Sequence, residues 1–223
     1  MPEYPAETRQ RLRLTYRHGA SLRYISHLDL IRVFERALRR AGLPIAYTQG
    51  FNPRPRITWA APLPVGFASE AELVDFLLNT PMEPGEFAAR LAPQLPAGLT
   101  ILAVEEVPRQ WPALPSLLRS AHYRVTLLGR QDIEAVQNDV ERLLAEEQIE
   151  RPRRGPAHKT KSFNLRPRIL TLHATCSDAG VVLDMELCAQ SNATARPDDV
   201  LDALGYSGWP CQITRTSLSF AST

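Results

Sequence analysis

Asn52-Pro-Arg-Pro-Arg-Ile57 and Asn164-Leu-Arg-Pro-Arg-Ile169 repeat one hexapeptide pattern at an offset of 112 residues. The same offset carries a strand-like stretch at Arg11 onto one at Tyr123, and one at Leu99 onto one at Cys211. Slipped by one residue, it carries a helix entered at Pro84 onto a helix entered at Pro197. Four elements sharing one spacing point to an internal duplication, because a chance match of one hexapeptide would not bring its flanks into step.

Working outward from the first copy, Arg11 to Arg17 alternates basic and apolar residues, with Leu12, Leu14 and Tyr16 on one face, as a half-buried strand does. Ser26 with Asp29 opens a helix whose apolar positions, Leu28, Ile31, Phe34, Leu38 and Ala41, follow helical spacing. Gly42 and Pro44 stop it. Strands are expected at Arg56 to Ala60, Glu70 to Leu78 and Leu99 to Glu106, with a short helix at Pro84 to Leu91. The second copy repeats the plan, with strands at Tyr123 to Leu128, Ile169 to Cys176, Val181 to Cys188 and Gln212 to Leu218 and helices at Gln131 to Glu147 and Pro197 to Leu204. Asp178 and Gly180 mark a hairpin turn. The expected fold is α+β, two tandem ferredoxin-like halves of order β-α-β-β-α-β. The first half spans 1–108, a proline-rich linker 109–119, and the second half 120–223 with a basic insertion at 151–168. Trp111 in the linker is expected to pack against the protein's own halves.

The net charge of +2 hides segregation: residues 1–60 hold eleven Lys/Arg and four Asp/Glu, whereas 61–108 hold one and seven. One basic face is implied rather than a basic protein. Three cysteines at 176, 188 and 211 lack metal-site or disulfide-framework spacing and read as buried reduced thiols. His18, His122, His158 and His173 are dispersed. Glu70, Glu72 and Asp75 read as a solvated strand face rather than a two-metal site. Neither a signal peptide nor an apolar run of membrane-spanning length is legible, so a cytoplasmic protein is expected.

Two basic segments hold the residues suited to chemistry on nucleic acid. In the first, Gly50 is a hinge, Tyr47 and Phe51 are stacking surfaces, and Gln49 and Asn52 are two-sided hydrogen-bonders. Arg54 lies on a stiff extended spine between two prolines, close to Arg56. The second supplies Arg154, Lys159, Lys161, Arg166 and Arg168 with Phe163 for stacking. Arginines beside aromatics suit a polyanion that carries π-faces; the competing reading is a pair of ordinary solvated loops. His27, in the first turn of the basic helix, is either a seat for that helix or an acid–base group acting on a ribose hydroxyl.

Tyr24-Ile-Ser-His-Leu-Asp-Leu-Ile-Arg-Val-Phe-Glu-Arg-Ala-Leu-Arg-Arg-Ala-Gly-Leu-Pro44, Tyr47-Thr-Gln-Gly-Phe-Asn-Pro-Arg-Pro-Arg-Ile57 and Ala61-Pro-Leu-Pro-Val-Gly66 closely resemble the radical-SAM-linked family, a bacterial domain of unknown function. Asn164-Leu-Arg-Pro-Arg168 resembles that family's second motif. The resemblance implies a radical SAM protein as partner, fused or encoded alongside. That partner would carry an iron–sulfur cluster and S-adenosylmethionine, with cobalamin a further candidate, while no cofactor is expected in this chain. A fainter likeness to CRISPR repeat-processing endonucleases rests on the position of His27; their Gly-rich loop has only Gly205-Tyr-Ser-Gly208 as a counterpart. Three readings follow. The first is a non-catalytic accessory domain presenting structured RNA, such as tRNA or rRNA, to a radical SAM protein. The second is a metal-independent ribonuclease using His27, and the third a protein-docking module with no RNA.

Overall fold

A computed structural model describes residues 9–153 and 161–221. Two compact units divide between Leu118 and Arg119, with Ala221 belonging to the first. The protein is mixed α+β, built on mostly antiparallel sheet with five α-helices among the described residues.

The first unit contains β1 (Gln10–His18), α1 (His27–Arg40), β2 (Ile57–Trp59), β3 (Phe67–Leu78), α2 (Pro84–Leu91), β4 (Leu99–Glu106) and the short α3 (Leu114–Leu117). Strand β1 pairs antiparallel with β3 on one side and β4 on the other, and β2 pairs with the far side of β3. Leu12, Leu14 and Tyr16 of β1 and Val74, Phe76 and Leu78 of β3 turn one face of this sheet into a core, against which α1 sets Leu30, Phe34, Ala37 and Leu38. Helix α1 starts at residue 27 because the Ser26 hydroxyl oxygen accepts from the Asp29 backbone N–H at 3.1 Å, satisfying one of the donors a helix start leaves open. Phe34 is the aromatic hub, with ring centroids 5.2 Å from Tyr16 and 5.0 Å from Trp59.

The opposite face of this sheet departs from the sequence expectation. Arg11 and Arg13 do point away from the apolar face, but away from it is not into solvent. Segment 107–112 covers them: Arg11 donates to the carbonyls of Trp111 at 2.6 Å and Pro112 at 3.0 Å, and the Arg13 guanidinium lies 5.8 Å from the Trp111 ring centroid. Asp75 accepts from both arginines, at 2.9 Å from each Nε. The solvated carboxylate face expected at Glu70, Glu72 and Asp75 is therefore corrected: Glu72 and Asp75 are each 2% exposed. Alternation along β3 is the reason. Glu72 shares the parity of Val74, Phe76 and Leu78, so it faces the core side, and Asp75 takes the other face under the covering segment.

The second unit contains β5 (Leu118–Leu128), α4 (Ile133–Ala145), a hairpin of β6 (Glu150–Arg153) and β7 (Lys161–Asn164), then β8 (Ile169–Ser177), β9 (Gly180–Gln190), β10 (Ala193–Thr194), α5 (Pro197–Ala203) and β11 (Cys211–Phe220). Strand β9 pairs antiparallel with β5 on one edge and with β8 and β10 on the other; β11 lies beside β5. Strand β5 begins earlier than the Tyr123 expected, and α4 is shorter at both ends than Gln131 to Glu147. The basic insertion read as a loop has strand pairing at its base, Glu150 against Asn164 through Arg153 against Lys161. The cysteines are also corrected: all are free thiols, but Cys176 is exposed and Cys188 and Cys211 are half-buried. Cys176 shares the parity of the buried Leu172, but it is the last residue but one of β8, an edge strand, beside the turn into β9.

Candidate nucleic-acid interface

Between α1 and β2 the chain leaves the first unit as a narrow arm. Ala46 donates to the Leu77 carbonyl at 2.7 Å, and Arg56 donates to the Ala46 carbonyl at 2.8 Å, tying both ends of the arm to β3 and to each other. Tyr47 bridges Pro55, and Thr48 grips Arg54 twice: its N–H donates to the Arg54 carbonyl at 2.8 Å and its hydroxyl oxygen accepts the Arg54 N–H at 2.9 Å. Prolines 53 and 55 cannot donate, so these few bonds close the arm's ladder. Gln49, Gly50, Phe51 and Asn52 form its tip, all exposed, with the Phe51 ring standing wholly in solvent. Gly50 turns the chain there at φ 129°, a conformation that side-chain-bearing residues avoid.

The predicted residues of the first segment thus divide. Gln49, Phe51, Asn52 and Arg54 lie exposed on the arm; Tyr47 is half-buried against the core and anchors it. Arg56 is half-buried and lines an open cleft with Leu77, Glu106 and Arg109. On α1, Arg36 and Arg39 are exposed, while Arg32 pairs with Asp29 at 2.9 Å and Arg40 holds the Gln94 carbonyl at 2.6 Å. Asp29 is held below the usual carboxylate range by hydrogen bonds from Ser26 and Arg32. His27 is half-buried, its ring 5.5 Å edge-on to Trp59.

The second segment is built differently. Leu165, where the first copy has Pro53, is fully buried, and the chain there takes a tight helical turn at Arg166–Arg168 instead of an extended arm. Asn164 accepts from the N–H groups of Ile149 at 2.9 Å and Arg166 at 3.1 Å, stapling the turn to the segment between α4 and β6. Arg166 donates to the Leu144 carbonyl at 2.9 Å, and Arg168 donates to the Thr194 carbonyl at 2.9 Å with its guanidinium 4.2 Å above the Phe163 ring centroid. These groups hold the turn together. Arg154 and Lys159 lie outside the described residues, and Lys161 is described only by its backbone in β7.

Sequence reading did not single out Tyr206 and Trp209. Tyr206 is buried and donates its hydroxyl to Asp139, while Arg130 lies 4.6 Å from its ring centroid and 5.1 Å from that of Trp209. Burial, and then the hydrogen bond to Asp139, push the Tyr206 phenol up to about 12 from 10.0. A phenol whose folded pKa is raised stabilises the fold fully below the unfolded value, and that contribution is lost as pH rises from 10 toward 12. Tyr206→Phe is expected to cost about 1.5–3 kcal/mol at neutral pH, as a bond to a charged group does. Urea midpoints of the two proteins should converge as pH climbs through that window; a constant gap would mean that the hydroxyl is not the cause.

The matching family model, described as "Uncharacterized protein conserved in bacteria (DUF2344)", covers residues 11–197, which include the arm, both arginine motifs and all but the last two elements. The chain belongs to this family. No curated protein matches this DUF2344 chain. Among solved structures, it is similar to a chain of "Crystal Structure of a Cbf5-Nop10-Gar1 Complex", with a TM-score of 0.50 and 10% identity over 97% of this chain and 51% of that one. The DUF2344 chain therefore spans about half the length of that neighbour, and the likeness is one of fold alone. Among the described residues no group of three or more His, Cys, Asp or Glu is placed to hold a metal ion, and no helix is long and apolar enough to cross a membrane.

Proposed function

We propose that this chain is a non-catalytic accessory module that binds structured RNA through the arm of its first unit and works beside a radical SAM protein. The observation that carries the RNA reading is the exposed Phe51 ring at the tip of an arm held at its base by Thr48, Arg54 and Ala46. An exposed aromatic ring on an anchored support is available for stacking, and an unpaired base is a partner that Asn52 and Gln49 can also read. Arg54 and, on α1, Arg36 and Arg39 add exposed positive charge on the same unit. The radical SAM partner, with its iron–sulfur cluster, S-adenosylmethionine and candidate cobalamin, rests on the resemblance of Tyr24 to Gly66.

The same reading takes the two units as a tandem ferredoxin-like duplication. Its support is that each has the order β-α-β-β-α-β, once the short α3 and β6, β7 and β10 are set aside, and the same neighbours: the third strand between the first and second, the first between the third and fourth.

Binding to small RNA followed by anisotropy across a salt series tests the site. Phe51→Ala should weaken binding by about 1–3 kcal/mol with the salt slope unchanged, since stacking is not ionic. Arg54→Ala should weaken binding and flatten the salt slope by about one. Wild-type affinity and slope in both variants would rule out the arm as the RNA site.

A further inference from the structure

In the second unit, the hairpin β6–β7, the Arg166–Arg168 turn, α5 and the segment after it enclose a groove of about 880 Å³, within the size range of small-ligand sites. We infer that this groove is a nucleotide site with a preference for guanine, a role separate from that of the Phe51 arm. Its walls differ in chemistry. One carries Arg151 and Arg168 with the Phe163 ring, the other carries Asp198, Asp199 and Asp202 of α5 with Arg196 just before it; the two meet where Asp202 pairs with Arg151, and Trp209 stands at the margin. A pure polyanion would meet the carboxylates and a pure cation the arginines. A ligand that fits both walls has a flat aromatic body, hydrogen-bond donors at one end and negative charge at the other, which is the build of a nucleotide.

Trp209 is prepared for stacking. Its indole N–H donates to the Leu128 carbonyl at 3.2 Å, the Arg130 guanidinium lies 5.1 Å from the ring centroid, and the residue remains 38% exposed. A ring fixed in this way loses little freedom when a base covers it. Asp202 meets Arg151 through Oδ2 at 3.2 Å, and a carboxylate has about four acceptor positions, so capacity for further donors remains. Guanine matches a carboxylate best because its N1–H and N2–H groups are adjacent donors pointing the same way. Adenine and cytosine set a ring acceptor beside their amino group, and uracil flanks its one N–H with carbonyls, so each turns a lone pair toward the carboxylate. Arg151 and Arg168 each have guanidinium N–H groups beyond those used on Asp202 and the Thr194 carbonyl, and these suit phosphate.

Calorimetric titration of the full chain with GMP, AMP, CMP and UMP at low salt tests the inference. GMP should bind roughly tenfold or more tightly than the others, the discrimination expected of one bidentate base contact. Asp198→Asn combined with Asp202→Asn removes the α5 carboxylates that would take the base donors, and with them the counter-ion of Arg151, and should abolish the preference while phosphate contacts are kept. Trp209→Ala should weaken all four nucleotides, with circular dichroism checking that the fold is kept. Phe51→Ala should leave GMP binding unchanged, so failure of the groove and failure of the arm are read separately. No heat with millimolar GMP, equal affinity for the four nucleotides, or a preference that survives the double Asn variant would each overturn the assignment.

Discussion

Asp75→Ala is expected to lower the unfolding free energy by about 3–5 kcal/mol, read as a drop in the urea midpoint with little change in slope. The wild-type carboxylate, 2% exposed, accepts from Arg11 and Arg13 on the covered face of the first sheet. Among the described residues, removing it leaves Arg11, itself 5% exposed, with the Trp111 and Pro112 carbonyls to compensate a full charge. A guanidinium left without its counter-ion in such a place costs far more than the pair contributes when intact. The comparison is Asp184→Ala, which removes an ion pair of similar length, 3.1 Å to Arg124, but between side chains 52% and 43% exposed. Water solvates that arginine after the change, so the loss should stay within about 1 kcal/mol. Equal effects at the two sites would show that segment 107–112 does not seal the first network.

The same network shows where the sequence ceases to be legible. Alternation along β1, capping by Ser26 and the apolar spacing of α1 are local signals, and the elements lie close to where those signals put them. Whether the polar face of β1 meets solvent depends on Trp111 and Pro112, a hundred residues away and without periodicity of their own. No local pattern encodes that cover. The repeated arginine motif misleads in the opposite sense. Its copies match in sequence, yet Pro53 holds the first in an extended arm while the buried Leu165 roots the second in a turn whose arginines are taken up by carbonyls. Chemical likeness at Arg54 and Arg166 says little about availability, because availability is decided by what each neighbour buries. Trp209, Asp198 and Asp202 carry no motif at all, and only the packing of α5 beside the β6–β7 hairpin brings them to one groove.

Gly180→Ala should cost about 3–5 kcal/mol, and the cause is backbone rather than side chain. Gly180 follows the Asp178–Ala179 turn and opens β9 opposite Leu128, with φ at 142°, where residues bearing a Cβ are strained. A methyl group there would stand 2.1 Å from the Leu127 carbonyl oxygen and 3.1 Å from that of Arg130. Both oxygens belong to backbone that the β5–β9 pairing holds: Val181 donates to the Arg130 carbonyl at 2.8 Å. Relief therefore means displacing the strand register rather than swinging a side chain. Gly129→Ala separates the two contributions, since its φ of 73° is also left-handed but no atom lies within 4 Å of the added carbon. It should cost about 1–2 kcal/mol, the conformational penalty alone. The excess at Gly180, measured by chemical denaturation, is then the cost of forcing β9 off β5. Should the two alanine variants prove equally stable, the strands must yield at that corner, and the close approach of Gly180 to β5 would not be what fixes their register.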